Sequence, residues 1–113
     1  ETQREACFAT LSARVGSIED NHKGGWYGYR AAKAARNMFL QTAAIEASRK
    51  KPLCVFAALQ PGTVQSKLSS SFVAAESAML PEESVTKMMA VMSKLKPNGR
   101  AQFVDHAGQV IPW

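Results

Sequence analysis

The chain has 113 residues, 46% hydrophobic and 20% charged, which fits one modest globular domain or part of a larger one. Its formal net charge of +5 comes from scattered basic residues without an aromatic-interleaved stripe, which argues against a nucleic-acid surface. No apolar run approaches the ~20 residues of a membrane span, no leader pattern opens the chain, and His22 and His106 stand apart from any metal-ligand spacing.

The chain opens on Glu1, not methionine, and reads as a segment of a longer protein. Ala6 to Leu11 is a short apolar run that predicts a buried strand, left by the small residues of Ser12-Ala13-Arg14-Val15-Gly16-Ser17. Ile18 to Gly28 is loop chemistry, and its Gly24-Gly25 pair allows a sharp turn before Trp26 and Tyr27, aromatics suited either to a pocket wall or to the core. Tyr29 to Arg49 predicts the best helix: it is rich in alanine, free of internal glycine and proline, and stopped by Pro52. Its alanine-rich faces predict close packing on more than one side, in a core or against another subunit. Arg49-Lys50-Lys51 complements the carbonyl end of its dipole.

Leu53 to Leu59 lacks alternation and predicts a second strand covered on both faces, broken by Gln60-Pro61-Gly62-Thr63-Val64. Strand, helix and strand in this order predict a right-handed crossover in a parallel sheet, with ligands bound outside the carboxyl ends of the strands. Residues 65–80 are serine- and alanine-rich, are expected to hold a short helix at 70–78, and read either as a lid or as a plain connection. Pro81-Glu82-Glu83-Ser84 starts a helix whose Val85, Met88, Met89, Met92 and Leu95 recur at helical spacing as core filling. Pro97-Asn98-Gly99 ends it, Gln102 to Asp105 predicts a last strand, and 106–109 a turn before an extended tail. Cys7 and Cys54, both in strand-like runs, read as reduced, buried small hydrophobes, which points to a cytoplasmic protein.

The chemistry centres on Tyr29 and Lys33. Four residues apart on a helix, they share one face. An ammonium about 4 Å from a phenol, at an effective dielectric near 20, is worth roughly 4 kcal/mol, or about three pKa units. That brings a phenol towards the range where it trades protons near neutral pH.

Taken together, Ser12-Ala13-Arg14-Val15-Gly16-Ser17 after a strand, Gly25-Trp26-Tyr27-Gly28-Tyr29-Arg30-Ala31-Ala32-Lys33-Ala34-Ala35 opening a helix, Pro61-Gly62-Thr63-Val64 after the next strand and Phe103-Val104-Asp105 before a glycine turn resemble the carboxyl-terminal half of a short-chain dehydrogenase/reductase, closest to the carbonyl-reductase-like and C-factor-like members. The resemblance implies an α/β fold, the carboxyl-terminal part of a Rossmann-like doubly wound parallel sheet with flanking helices. Residues 1–113 would be one half of a single domain, its amino-terminal cofactor-binding half lying upstream of Glu1. It implies an NAD(P)-dependent oxidoreductase moving a hydride between nicotinamide and a small-molecule carbonyl or secondary alcohol, with NAD or NADP as cofactor.

By the same resemblance Tyr29 is the acid/base, and Lys33 binds the nicotinamide ribose and lowers the phenol's pKa. Pro61, Gly62 and Val64 lie against the nicotinamide, Ser66 contacts the cofactor, and helix 29–49 joins subunits of a homo-oligomer. One departure stands out. The substrate-orienting serine of the family falls here on Ala13, so either Ser12 serves as the catalytic hydroxyl, the option favoured, or Ser17 reaches in, or the hydroxyl is absent. Ala13 also keeps open an alternative: a catalytically impaired relative used as a binding or signalling scaffold.

Overall fold

The computed structural model describes residues 5–63 and 78–113. Three parallel strands, β1 (Ala6–Leu11), β2 (Cys54–Gln60) and β3 (Ala101–Asp105), form one sheet in the order β1-β2-β3. A 3-10 turn (Arg14–Gly16) and the helix α1 (Tyr27–Ser48) lie between β1 and β2, and α2 (Pro81–Lys94) precedes β3. Register runs from Ala6 opposite Cys54 to Leu11 opposite Leu59, and from Phe56 opposite Ala101 to Gln60 opposite Asp105.

The unalternating apolar run of β2 is explained by cover on both faces. Ala58 and Phe56 pack with Leu40 and Ala44 of α1, together with Phe103 and Ile111. Ala57 and Leu59 pack on the other side with Met88, Val91 and Met92 of α2 and with Val104. The two central alanines are fully buried, and their small side chains let both helices approach the sheet. The tail after β3 turns back: Ile111 donates its N–H to the Phe103 carbonyl at 2.8 Å, and the Trp113 ring stacks on Phe103 with centroids 5.1 Å apart. The Trp113 carbonyl then accepts from the amides of Ile18 and Glu19 at 2.7 and 3.0 Å, tying the loop after the 3-10 turn to the end of the sheet.

Several expectations need correction. β1 is not buried: it is an outer strand paired only with β2 among the described residues, so Phe8 and Leu11 are exposed. Cys7 is exposed and Cys54 half-buried, both as free thiols, so burial does not account for Cys7. Helix α1 starts at Tyr27, two residues before the expected Tyr29, because Trp26 takes a left-handed conformation (φ 54°) that turns the chain into the helix. On α2, Met88 and Met92 fill the core, but Val85 and Met89 are exposed, since the apolar arc of the helix is wider than the sheet face beneath it. Trp26 and Tyr27 are exposed and take no part in the core. The expected short helix at 70–78 and most of the candidate lid lie outside the described residues.

Candidate active site

The strands are parallel, so β1, β2 and β3 all end at one edge of the sheet, and α1 begins there. Tyr29 sits in the first turn of α1 with Lys33 one turn on, and the Lys33 Nζ stands 5.5 Å from the centroid of the Tyr29 ring. That is within reach of a cation–π contact. Tyr29 keeps 44% of its surface exposed, and Trp26 meets its ring edge-on, with centroids 6.3 Å apart and planes at 86°. The phenol is therefore held on one side and open on another. Burial, and secondarily the Arg36 guanidinium, holds the Lys33 ammonium below its ordinary lysine value. No carboxylate pairs with Lys33 among the described residues.

Two devices place this pair. Arg30, one residue beyond Tyr29, donates to the carbonyls of Gly25 (2.9 Å), Gly24 (3.1 Å) and Val15 (3.3 Å), binding the start of α1 to the glycine turn and to the 3-10 turn. Gly16 closes the 3-10 turn directly against α1. A Cβ there would lie 2.8 Å from the Lys33 Cβ and 3.1 Å from its backbone carbon, so only glycine allows the turn to rest on the helix at Lys33.

At the end of β1, Ser12 is 4% exposed and its hydroxyl donates to the Asn37 Oδ1 at 2.7 Å. Ser17 is buried; its hydroxyl donates to the Trp113 carbonyl at 3.1 Å and accepts from the Asp20 amide at 3.0 Å. Between them Ala13 is 8% exposed in extended backbone (φ −152°, ψ 145°). Both neighbouring hydroxyl protons are thus given to protein acceptors.

After β2 the chain bends at Pro61 and Gly62. Ser84, buried in the first turn of α2, donates its hydroxyl to the Pro61 carbonyl at 2.8 Å, and the Met79 amide donates to the Thr63 carbonyl at 2.7 Å. Gly62 has φ 80°, and a Cβ on it would lie 2.7 Å from the Met79 Cε and 2.9 Å from the His106 Cδ2 and Nε2. Left-handed backbone and lack of room both exclude a side chain. Gly62→Ala is therefore expected to cost roughly 2–4 kcal/mol of folding stability, read as a lowered thermal midpoint. An unchanged midpoint would show that the imidazole and the thioether yield freely. Val64 and Ser66, also expected here, lie outside the described residues.

No family model matches the chain. It is 33% identical over 106 residues to the C-signal of Myxococcus xanthus, covering 93% of this chain and 60% of that protein. It is 30% identical over 103 residues to 1-hydroxy-2-glutathionyl-2-methyl-3-butene dehydrogenase of Rhodococcus sp. (strain AD45), covering 91% and 45%. Among solved structures it superposes on the NADPH-bound carbonyl reductase from chicken fatty liver with a TM-score of 0.79 and 28% identity, over 95% of this chain and 42% of that one. In sequence and fold the chain is similar to short-chain dehydrogenases/reductases. It spans about half the length of the curated relatives it matches.

Tyr29 and Lys33 come together at the carboxyl edge of the sheet. Ser12 is at the right strand end, but its hydroxyl is buried and turned to Asn37. Sequence reasoning missed Arg30, Ser84, His106 and the Arg14–Asp105 ion pair, whose guanidinium and carboxylate meet at 3.2 Å. The buried hydroxyl of Ser84 follows a proline and two acids, and that signal was spent on the helix start. His106 follows a strand and precedes a glycine turn, and nothing in its neighbours points to Gly62.

Proposed function

We propose that the chain is the carboxyl-terminal half of a single Rossmann-like domain whose full-length protein is an NAD(P)-dependent oxidoreductase acting on a carbonyl or secondary alcohol. The observation that carries this reading is the Lys33 ammonium over the Tyr29 ring at the rim of a parallel sheet. The residues fit a nicotinamide nucleotide. Lys33 lacks a carboxylate partner among the described residues, which leaves its N–H donors for ribose hydroxyls, and the bend at Pro61 and Gly62 follows β2 at the same edge of the sheet. Tyr29, Lys33, Pro61 and Gly62 would hold the cofactor, and the family resemblance assigns Val64 and Ser66 to the same task. A bound nicotinamide supplies or accepts the hydride.

The protein's own part is placement and proton transfer. Tyr29, held by Trp26 and the Lys33 contact, gives its phenolic proton to the substrate oxygen in reduction and takes one back in oxidation. Nucleotide titration followed by a carbonyl-reductase assay on the full-length protein tests the reading.

Ala13 favours a second reading, a scaffold that keeps the fold without turnover. With the Ser12 proton on Asn37 and the Ser17 proton on Trp113, neither of these two hydroxyls is free to orient a substrate oxygen. Tight nucleotide binding with no turnover across a broad carbonyl panel would decide for it.

The outer face of α1 supports a homo-oligomer. Ala32, Ala35, Phe39 and Ala43 lie along it at helical spacing, and Phe39 is 75% exposed. Phe39→Glu is expected to turn a dimer into a monomer by light scattering, and an unchanged mass would move the interface elsewhere. Free Cys7 and Cys54 fit a reducing, cytoplasmic setting. Among the described residues no helix is long and apolar enough to cross a membrane.

A further inference from the structure

We infer that Asp105, at the end of β3, is a positioning residue whose two carboxylate oxygens hold the two walls of the site, one carrying Lys33 and the other carrying the bend at Gly62. This deepens the oxidoreductase reading and rests on it. The carboxylate is 7% exposed and fully engaged. Its Oδ2 accepts from the Arg14 Nη2 at 3.2 Å, and Arg14 opens the 3-10 turn whose last residue, Gly16, lies on Lys33 with no room for a Cβ. Its Oδ1 accepts from the amides of Ala107 and Gln109, both at 2.9 Å, and so fixes the turn that carries His106. The His106 ring fills the space beneath Gly62.

The topology makes this tie matter. β1 and β3 flank β2 and share no ladder hydrogen bonds, so the exit of β1 and the exit of β3 are connected across the sheet edge by the Arg14–Asp105 pair. A bidentate-capable guanidinium against a buried carboxylate is a directional, poorly screened contact. Asp20 also meets Arg14, at 3.6 Å, but it is more exposed and does not reach β3. Misplacement of a reacting group by about 1 Å costs on the order of a hundredfold in rate, so a hub that sets two walls at once is worth testing.

Three variants of the full-length protein separate the two arms. Arg14→Met cuts only the Lys33 arm. Asp105→Asn keeps a neutral acceptor for the two turn amides and loses the charge facing Arg14. Asp105→Ala cuts both arms. Arg14→Met and Asp105→Asn are each expected to lower kcat/KM with NADPH about tenfold, the double variant no further than either single one, and Asp105→Ala about a hundredfold. Arg14→Lys is expected to recover part of the loss.

Backbone amide NMR shifts read the same geometry without any turnover. Arg14→Met should move the Gly16 and Lys33 amides and leave Gly62 in place, and Asp105→Ala should move all three. A structural role alone would lower the thermal midpoint of Arg14→Met and Asp105→Asn with kcat/KM unchanged at a permissive temperature, and that overturns the inference. So does an Arg14→Met variant in which the Gly16 and Lys33 amides stay put. If Tyr29→Phe turns over like the parent, the oxidoreductase reading falls separately, and the amide pattern still decides for or against Asp105.

Discussion

Tyr29→Phe in the full-length protein is expected to lower kcat by about a hundredfold to ten-thousandfold, the range of a lost general acid/base, while the Kd for the nicotinamide cofactor, NAD(P)H, changes by less than a factor of about two. The substitution is clean for a physical reason. It removes one oxygen and keeps the ring that Trp26 meets edge-on and over which the Lys33 ammonium stands. Neither contact uses the hydroxyl, so α1 keeps its first turn and Lys33 its placement. A loss of kcat without a loss of nucleotide affinity then assigns the missing function to the proton on that oxygen. A variant that keeps more than a tenth of parental turnover would take the acid/base role away from Tyr29.

What the sequence made legible follows from periods and from local chemistry. A four-residue spacing places Tyr29 and Lys33 on one face whatever the rest of the molecule does, and an apolar run without alternation can only be a covered strand or helix. Pro61-Gly62 announces a bend by itself. The unread parts depend on distant partners. Arg14 and Asp105 are 91 residues apart and meet only because β1, β2 and β3 end at one edge. The exposure of β1 depends on what pairs with its outer side, and no residue within β1 carries that information. The start of α1 is not legible because Gly28 reads as loop, whereas it lies inside the first turn and the break falls on the left-handed Trp26. Ser12 could stand in for the absent hydroxyl only if the strand end shifted, and the backbone at Ala13 stays extended. Adjacency in extended backbone means the opposite face. Its hydroxyl accordingly goes to Asn37 on α1.

That alternation leads to the second large effect, Ala13→Ser, which is expected to raise kcat by about tenfold to a hundredfold. A preorganised hydrogen-bond donor at a reacting oxygen is worth up to about that much, and at Ala13 none is present. The position is prepared for one. Its backbone is extended, and neighbouring side chains in extended backbone leave on opposite faces, so an added hydroxyl is expected not to compete with Ser12 for Asn37. Gly16, three residues on, fixes the turn against Lys33 and so fixes the distance between position 13 and the start of α1. The result also discriminates the two readings of the protein. A parent that reduces carbonyls slowly and speeds up with Ala13→Ser is an enzyme short of one donor. A parent that binds NADPH without turnover and becomes active with Ala13→Ser is a scaffold that lost its chemistry at one oxygen atom. A folded Ala13→Ser variant with kcat unchanged would mean that the substrate oxygen is not addressed from the end of β1, and the site would have to be redrawn around Tyr29 and Lys33 without that strand.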